Sequence, residues 1–202
     1  MKEILEQLAS AVSGDETRQH LCAVHVVDHA GQKVAFSTDG HRMHVLFDVD
    51  APVGSYDLQG TPVDVKPPPA MEIACQLTTD CRIALPRKST VEALCDKWCD
   101  RRTNVIIDLG TGEAAVNKSL TEKLEKKTLK RDSHYSDVLK INARILGAVE
   151  PQEGAPRINA EYLLDVMNFT GAEFADIRSG EALDPVKLSK GNRLAIVMPT
   201  RK

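Results

Sequence analysis

Three times along the 202-residue chain, an apolar stripe of helical period is followed by short β-type runs with turn residues between them. This recurrence limits the fold more than any other feature of the sequence. In the first unit Ile4, Leu5, Leu8, Ala9 and Val12 form the stripe over residues 2–13, and Gly14 stops it. The runs LCAVHVV from Leu21, KVAFSTD and RMHVLFDV then read as three strands joined by short turns. In the second unit Ser89 is placed to cap a helix reaching about Cys99, with Val91, Leu94, Cys95 and Trp98 on one side. NVIIDLGTGEAAV follows as two strands around Gly110-Thr111-Gly112. In the third, Asn159 caps AEYLLDVMNFTG, whose stripe is Tyr162, Leu163, Val166 and Met167, and Gly171 ends it. FADIRSG, PVKLS and RLAIVMP complete that unit as strands. Units of this kind stack with sheets on one side and helices on the other. The expected fold class is therefore α+β, built from repeats of one helix and a small antiparallel sheet.

Two stretches fall outside the pattern. Pro52, Pro62 and Pro67-Pro68-Pro69 interrupt residues 51–70, because proline has no N–H to donate to a ladder. A strand fragment near Tyr56 and an extended connection are expected there. Residues 118–131 are dense in Lys and Glu and read equally as a solvated helix or an exposed edge strand.

Composition narrows the function. With 42% hydrophobic and 27% charged residues and a net charge of −3, the chain is an ordinary folded protein and not a wholly basic nucleic-acid binder. A locally basic surface on an acidic body is still compatible with these numbers. No apolar run approaches the roughly 20 residues of a membrane span, so no membrane partner is expected. Met1-Lys2-Glu3-Ile4-Leu5-Glu6 carries two acids within an amphipathic pattern, unlike a signal peptide, so a cytoplasmic protein is expected. The odd set Cys22, Cys75, Cys81, Cys95 and Cys99 lacks the close C-x-x-C spacing of structural zinc sites, and buried free thiols are expected instead of a metal site.

Asp39 and His41 raise the question of an acid–base pair. A nucleophile would also be needed, and Ser37 points to the opposite strand face from Thr38. Gly-x-Ser-x-Gly, phosphate-loop, His-Glu-x-x-His and dinucleotide fingerprints are all absent from the sequence. No enzyme, no catalytic residue and no cofactor is expected.

VAFSTDGHRMHVL resembles the Ala-Thr-Asp-Gly-His-Arg-Leu strand–turn–strand of the bacterial sliding clamp, the β subunit of DNA polymerase III. SGDETRQHLCAVHV is similar to the segment preceding this turn in the clamp's middle domain, and IALPRKSTVEAL to its Val-Pro-Arg-Lys lead into the second helix. HYSDVL resembles the Phe-Pro-Asp-Tyr close of that domain. INAEYLLDVMNF and the terminal LAIVMPTRK resemble the last helix and the Met-Pro-Met-Arg end of the third. The pieces follow the family's order. The clamp's first domain has no counterpart, and between Lys140 and Arg157 there is too little chain for the first half of a third. Tyr135-Ser136-Asp137 lacks the family's proline, Thr200 replaces a methionine and Lys202 an apolar end residue. The resemblance implies a shortened clamp. Residues 1–140 would be one clamp-like domain with units at 1–60 and 83–140, and residues 141–202 a terminal half-domain.

In the family the polar turn is not catalytic but borders a pocket where polymerases and repair proteins dock a short peptide. The resemblance places Leu21, Thr38, Gly40, His41, Arg42 and Met43 on one wall, and Leu183, Pro185, Ile196, Met198, Pro199, Thr200 and Arg201 on the other. The residue types suit that task. Leucine, methionine and isoleucine give an adaptable apolar floor, while His41, Arg42 and Arg201 would supply polar rim contacts. Gly40 permits positive φ or close backbone approach. A DNA surface is implied at Arg18, Gln19, His20, Arg87 and Lys88, with Lys97, Arg101 and Arg102 adding charge near the second helix. The implied partners are duplex DNA and polymerase or repair proteins carrying clamp-binding peptides. Clamps build rings from twelve helix–sheet units, so four copies of a three-unit chain would make a homo-tetrameric ring. The rival expectation is a non-ring adaptor or decoy that binds such peptides without encircling DNA.

Overall fold

The computed structural model describes residues 1–99, 103–110, 114–118, 139–141 and 155–200. Within the first unit lie helix α1 (Lys2–Leu8) and strands β1 (Val24–His29), β2 (Gln32–Thr38), β3 (Arg42–Phe47), β4 (Gly54–Tyr56) and β5 (Pro62–Val63). Helix α2 (Ala70–Gln76) follows. The second unit comprises β6 (Cys81–Ala84), α3 (Lys88–Trp98), β7 (Thr103–Asp108), β8 (Ala114–Lys118) and β9 (Leu139–Ile141). The third comprises β10 (Arg157–Asn159), α4 (Ala160–Thr170), β11 (Phe174–Ile177), β12 (Val186–Lys190) and β13 (Arg193–Val197). No described helix is long and apolar enough to cross a membrane.

Every strand pairing among the described residues is antiparallel. A nine-stranded sheet runs β5-β4-β1-β2-β3-β13-β12-β11-β6, and a four-stranded sheet runs β10-β7-β8-β9. The second and third units exchange their leading strands. β6 joins the third unit's meander beside β11, and β10 joins the second unit's beside β7. The sequence division groups residues 1–60 with 83–140, whereas this exchange interlocks 83–140 with the third unit. In the first unit the equivalent place, beside β1, is taken by its own β4. Beyond β4 the sheet ends in the two-residue β5, whose Pro62 offers no N–H to a further strand.

Period-2 alternation divides the long sheet into two faces. Val24, Val26, Ala35, Leu46, Ala195 and Val197 point to the main core, where they meet Leu5 and Leu8 of α1, Val91 and Leu94 of α3, and Leu163 and Val166 of α4. Val34, Phe36, Met43, Val45, Leu194 and Ile196 point to the other face, which α2 covers with Met71 and Ala74. Helix ends obey local chemistry. The Asn159 side chain accepts from Glu161 N at 2.9 Å, and Gly171 closes α4 at φ +65°.

The strands of the third unit and the turns around β2 and β3 stand where the sequence puts them. Three local expectations are corrected, and one helix was not foreseen. The first helix stops at Leu8 and tightens into a 3₁₀ turn over Ala9–Ala11, because Ser10 is held from both its backbone and its side chain. β1 begins at Val24, since residues 16–21 form a 3₁₀ segment capped by Asp15. Ser89 sits inside the first turn of α3, whose N-cap is Arg87. Residues 70–76, beyond the connection, are helical. The 118–131 segment past Lys118 lies outside the described residues.

Leu163 is fully buried at the heart of the main core. Leu163→Ala is expected to cost about 2–5 kcal/mol of stability, as buried leucine truncations do. Urea unfolding followed by circular dichroism measures it.

Candidate functional site

The Asp39-Gly40-His41-Arg42 turn is built from its own polar atoms. Asp39 Oδ1 accepts from His41 N at 2.8 Å and Arg42 N at 2.9 Å. Thr38 Oγ1 donates to Arg42 O at 2.7 Å and accepts from Gly40 N at 3.1 Å. Gly40 stands at φ +90°, where an L side chain is strained. Arg18 Nη2 donates to Asp39 O at 3.2 Å and braces the turn from outside. The Asp39 carboxylate thus organises backbone rather than orienting a base.

The turn abuts the end of β13. Ile196 pairs with Met43 and Val197 with Arg42, and Met198 N donates to His41 O at 2.8 Å. Beneath this seam, toward the helices, lies a polar cluster. Arg42 Nε is 3.3 Å from both Asp39 Oδ2 and Asp165 Oδ2, and its Nη2 donates to Ser10 O at 2.6 Å. Tyr162 of α4 carries the Arg42 guanidinium 4.8 Å above its ring and stacks on His41 at 5.6 Å. His44 is wholly buried, stacked at 4.1 Å on Phe169, with Nε2 3.1 Å from Asp165 Oδ2 and Nδ1 3.4 Å from Ser10 Oγ. Burial by itself would raise the Asp165 pKa; His44, Arg42 and Ser10 outweigh it and hold the carboxyl below its usual range.

On the opposite face, β3 and β13 floor an apolar pocket of about 350 Å³. Leu21, Thr38, Gly40, Arg42, Met43, Pro185, Ile196 and Met198 line it, all of them predicted pocket residues. His41 is displaced onto Tyr162, and Leu183 is 59% exposed on the turn before β12, outside the lining. Pro199 is also outside it, and Thr200 is bound to Arg157 through N–H···O and Oγ1–H···O contacts of 2.7 and 3.1 Å. Arg201 lies outside the described residues. Arg42 does not supply a rim charge, because its guanidinium faces inward to two carboxylates. Sequence reasoning missed the wall made by Pro68, Pro69, Ala70, Ala74 and Leu77. The signal for it was present, since Ala70, Ala74 and Leu77 recur at helical spacing behind the proline run.

The positions expected at DNA are scattered in role. Arg18 is 3.2 Å from Asp15 as well as bracing the turn. Gln19, His20 and Arg87 are exposed, and Lys88 lies 3.7 Å from Glu92. Arg101 and Arg102 lie outside the described residues. Cys22, Cys81, Cys95 and Cys99 are half-buried thiols outside any disulfide, where buried ones were expected. Burial, with Cys99 close by, pushes the Cys95 thiol up to about 12.

No protein-family model matches this sequence, and no curated protein does. Solved structures do. The whole chain superposes on the DNA polymerase III β subunit of Pseudomonas aeruginosa with a TM-score of 0.65 at 16% identity, covering 64% of that chain. It superposes likewise on a Caulobacter crescentus β sliding clamp (0.63, 17%, 100% of this chain and 63% of that one). A Bartonella birtlesii sliding clamp solved bound to griselimycin gives 0.66 at 16% identity, with 100% and 63% covered. The chain has the sliding-clamp fold, and it spans under two thirds of the length of these clamps.

The depressed Asp165 value fixes the sign of a pH effect. Its stabilisation is complete above the unfolded carboxyl value of 3.8 and is lost as pH falls through the lower folded value. Asp165→Asn is expected to cost roughly 1–3 kcal/mol near neutral pH, because the buried donors of Arg42 and His44 lose the charge they face. The gap between the two proteins should shrink as pH drops below that carboxyl value. Denaturant titrations over a pH series measure both.

Proposed function

We propose that this protein is a clamp-type docking module that holds replication or repair proteins by a short apolar peptide and performs no reaction of its own. The observation that carries this reading is the pocket between β3 and β13, floored by Met43 and Ile196 and walled by Met198. Polymerase or repair proteins with clamp-binding peptides are its partners, encountered in the cytoplasm. Methionine and isoleucine adapt to leucine or aromatic anchors. Met198 is 42% exposed, so it can be changed at little cost to the core. Met198→Ala is expected to weaken a clamp-binding peptide about tenfold, roughly 1.4 kcal/mol. Titration calorimetry reads this directly, and the absence of saturable binding to the wild-type chain would refute the reading.

Duplex DNA is the other partner expected of a clamp, through Arg18, Gln19, His20, Arg87 and Lys88. Two observations favour a form that docks peptides without encircling DNA. Helices α1, α3 and α4, which share one face of the sheet, carry five carboxylates besides the inward-paired Asp165 (Glu3, Glu6, Glu92, Asp96, Glu161) against three lysines (Lys2, Lys88, Lys97). Such a layer repels phosphates rather than neutralising them. The first unit also closes its own sheet with β4 and the proline-blunted β5, at an edge where a neighbour would otherwise add a strand. A tetrameric ring needs open complementary edges at both ends of each chain. Light scattering at micromolar concentration is expected to give the mass of one chain, with no salt-dependent duplex binding for Arg87→Ala or Lys88→Ala to weaken. A mass of four chains, or duplex affinity falling steeply with salt and flattened by those substitutions, would restore the ring.

A further inference from the structure

The pocket and the patch beneath α2 are one apolar surface. Met43 and Ile196 belong to both, as pocket floor and as members of the outer cluster with Val34, Phe36, Val45 and Leu194. The division between them is made only by α2. Its Met71 and Ala74 are buried on the cluster, while Ala70, Ala74 and Leu77 form the pocket wall on that side.

We infer that α2 is a displaceable strap lying over a second anchor position of the same groove, one that takes the distal apolar side chain of a longer peptide. This rests on the peptide-docking reading above. Three features make α2 a strap rather than a fixed wall. It has seven residues, fewer than an isolated helix needs to persist in water. Its N-cap is Pro69, which contributes no side-chain bond to the free N–H groups. Its one large buried described side chain is Met71, an unbranched residue that yields easily to a competing apolar group. The segment is nevertheless fixed at both ends. Val65 O accepts from Ser55 Oγ at 2.8 Å, Asp80 N donates to Ile177 O at 3.0 Å, and the Asp80 carboxylate accepts from Ser179 N and Oγ at 2.7 and 2.9 Å. Residues 66–79 can therefore lift and return without leaving the site. That tether keeps the strap at high effective concentration as an internal competitor.

The strap makes the resting groove a one-anchor site. A short peptide with one leucine binds without disturbing α2, and a peptide with a second, aromatic anchor must first displace Met71. The test uses the full chain and these two synthetic peptides. Met71→Ser is expected to tighten the two-anchor peptide about tenfold and leave the one-anchor peptide unchanged. On the wild-type protein, hydrogen exchange of the amides of residues 70–76 is expected to speed up on saturation with the two-anchor peptide only. This second measurement decides the matter if the variant fails to fold. Slower exchange of α2 with the two-anchor peptide, or equal responses of both peptides to Met71→Ser, would overturn the strap while leaving the pocket standing. Binding of neither peptide to the wild-type chain would remove the docking reading and the strap with it.

Discussion

The register of β13 against β3 is the constraint on which the rest depends. It joins the first unit to the third across a sheet that is otherwise two separate meanders. Because side chains alternate along a strand, neighbouring residues of β3 serve opposite faces. Met43 goes out to the pocket floor, while His44 goes in, against Phe169 and Asp165. A one-residue slip would bring His44 to the pocket and Met43 to the carboxylate. The polar cluster gives the seam a register that apolar contact alone would specify weakly. Arg42 has two carboxylates and one carbonyl arranged around it from three different elements, and a shifted pairing would carry it away from them.

That arrangement also sets which chemical groups the pocket presents. A guanidinium held between Asp39 and Asp165 is already neutralised, and its stem contributes only hydrocarbon to the lining. Arg18 is similarly engaged, with Asp15 and with the carbonyl of Asp39. Among the described residues, Thr38 is the remaining polar side chain in an otherwise apolar lining.

Much of this was legible in the sequence because the signals were local. Asn159 and Gly171 bracket α4 by capping chemistry, and the polar turn at Asp39–Arg42 announces a hairpin by composition alone. Eight of the expected pocket positions converge because four of them (Thr38, Arg42, Met43 and Ile196) lie on strands whose alternation is plain and the other four adjoin strand ends or turns. What failed was non-local or hidden by a stronger local signal. Proline at 67–69 read as a break, and the helix just behind it escaped notice, although its alanines repeat at helical spacing. The inward turn of Arg42 depends on Asp165, 123 residues away in sequence, and no spacing rule reaches that far. The strand exchange between the second and third units is non-local in the same sense, since a strand's own sequence does not say whose sheet it completes.

The first unit completes its sheet from its own chain. In the other two units, the edge strand beside the meander is borrowed from the neighbouring unit, and α3 and α4 pack side by side over the shared core. The first unit has neither arrangement. The chain instead returns on itself through Tyr56, whose hydroxyl donates to Pro52 O at 3.0 Å, and lays Gly54–Tyr56 against β1. His25 then locks the loop from beneath. It is fully buried, with Nδ1 2.8 Å from Ser55 Oγ and Nε2 2.8 Å from His20 O. Ser55 passes the contact on to Val65 O, the fixed end from which the proline run and α2 depart. The same residues that close the sheet edge therefore aim the strap across the outer face toward the pocket. Closing the edge and walling the pocket are two consequences of one piece of chain, which ties the sheet edge of this unit to the shape of the pocket.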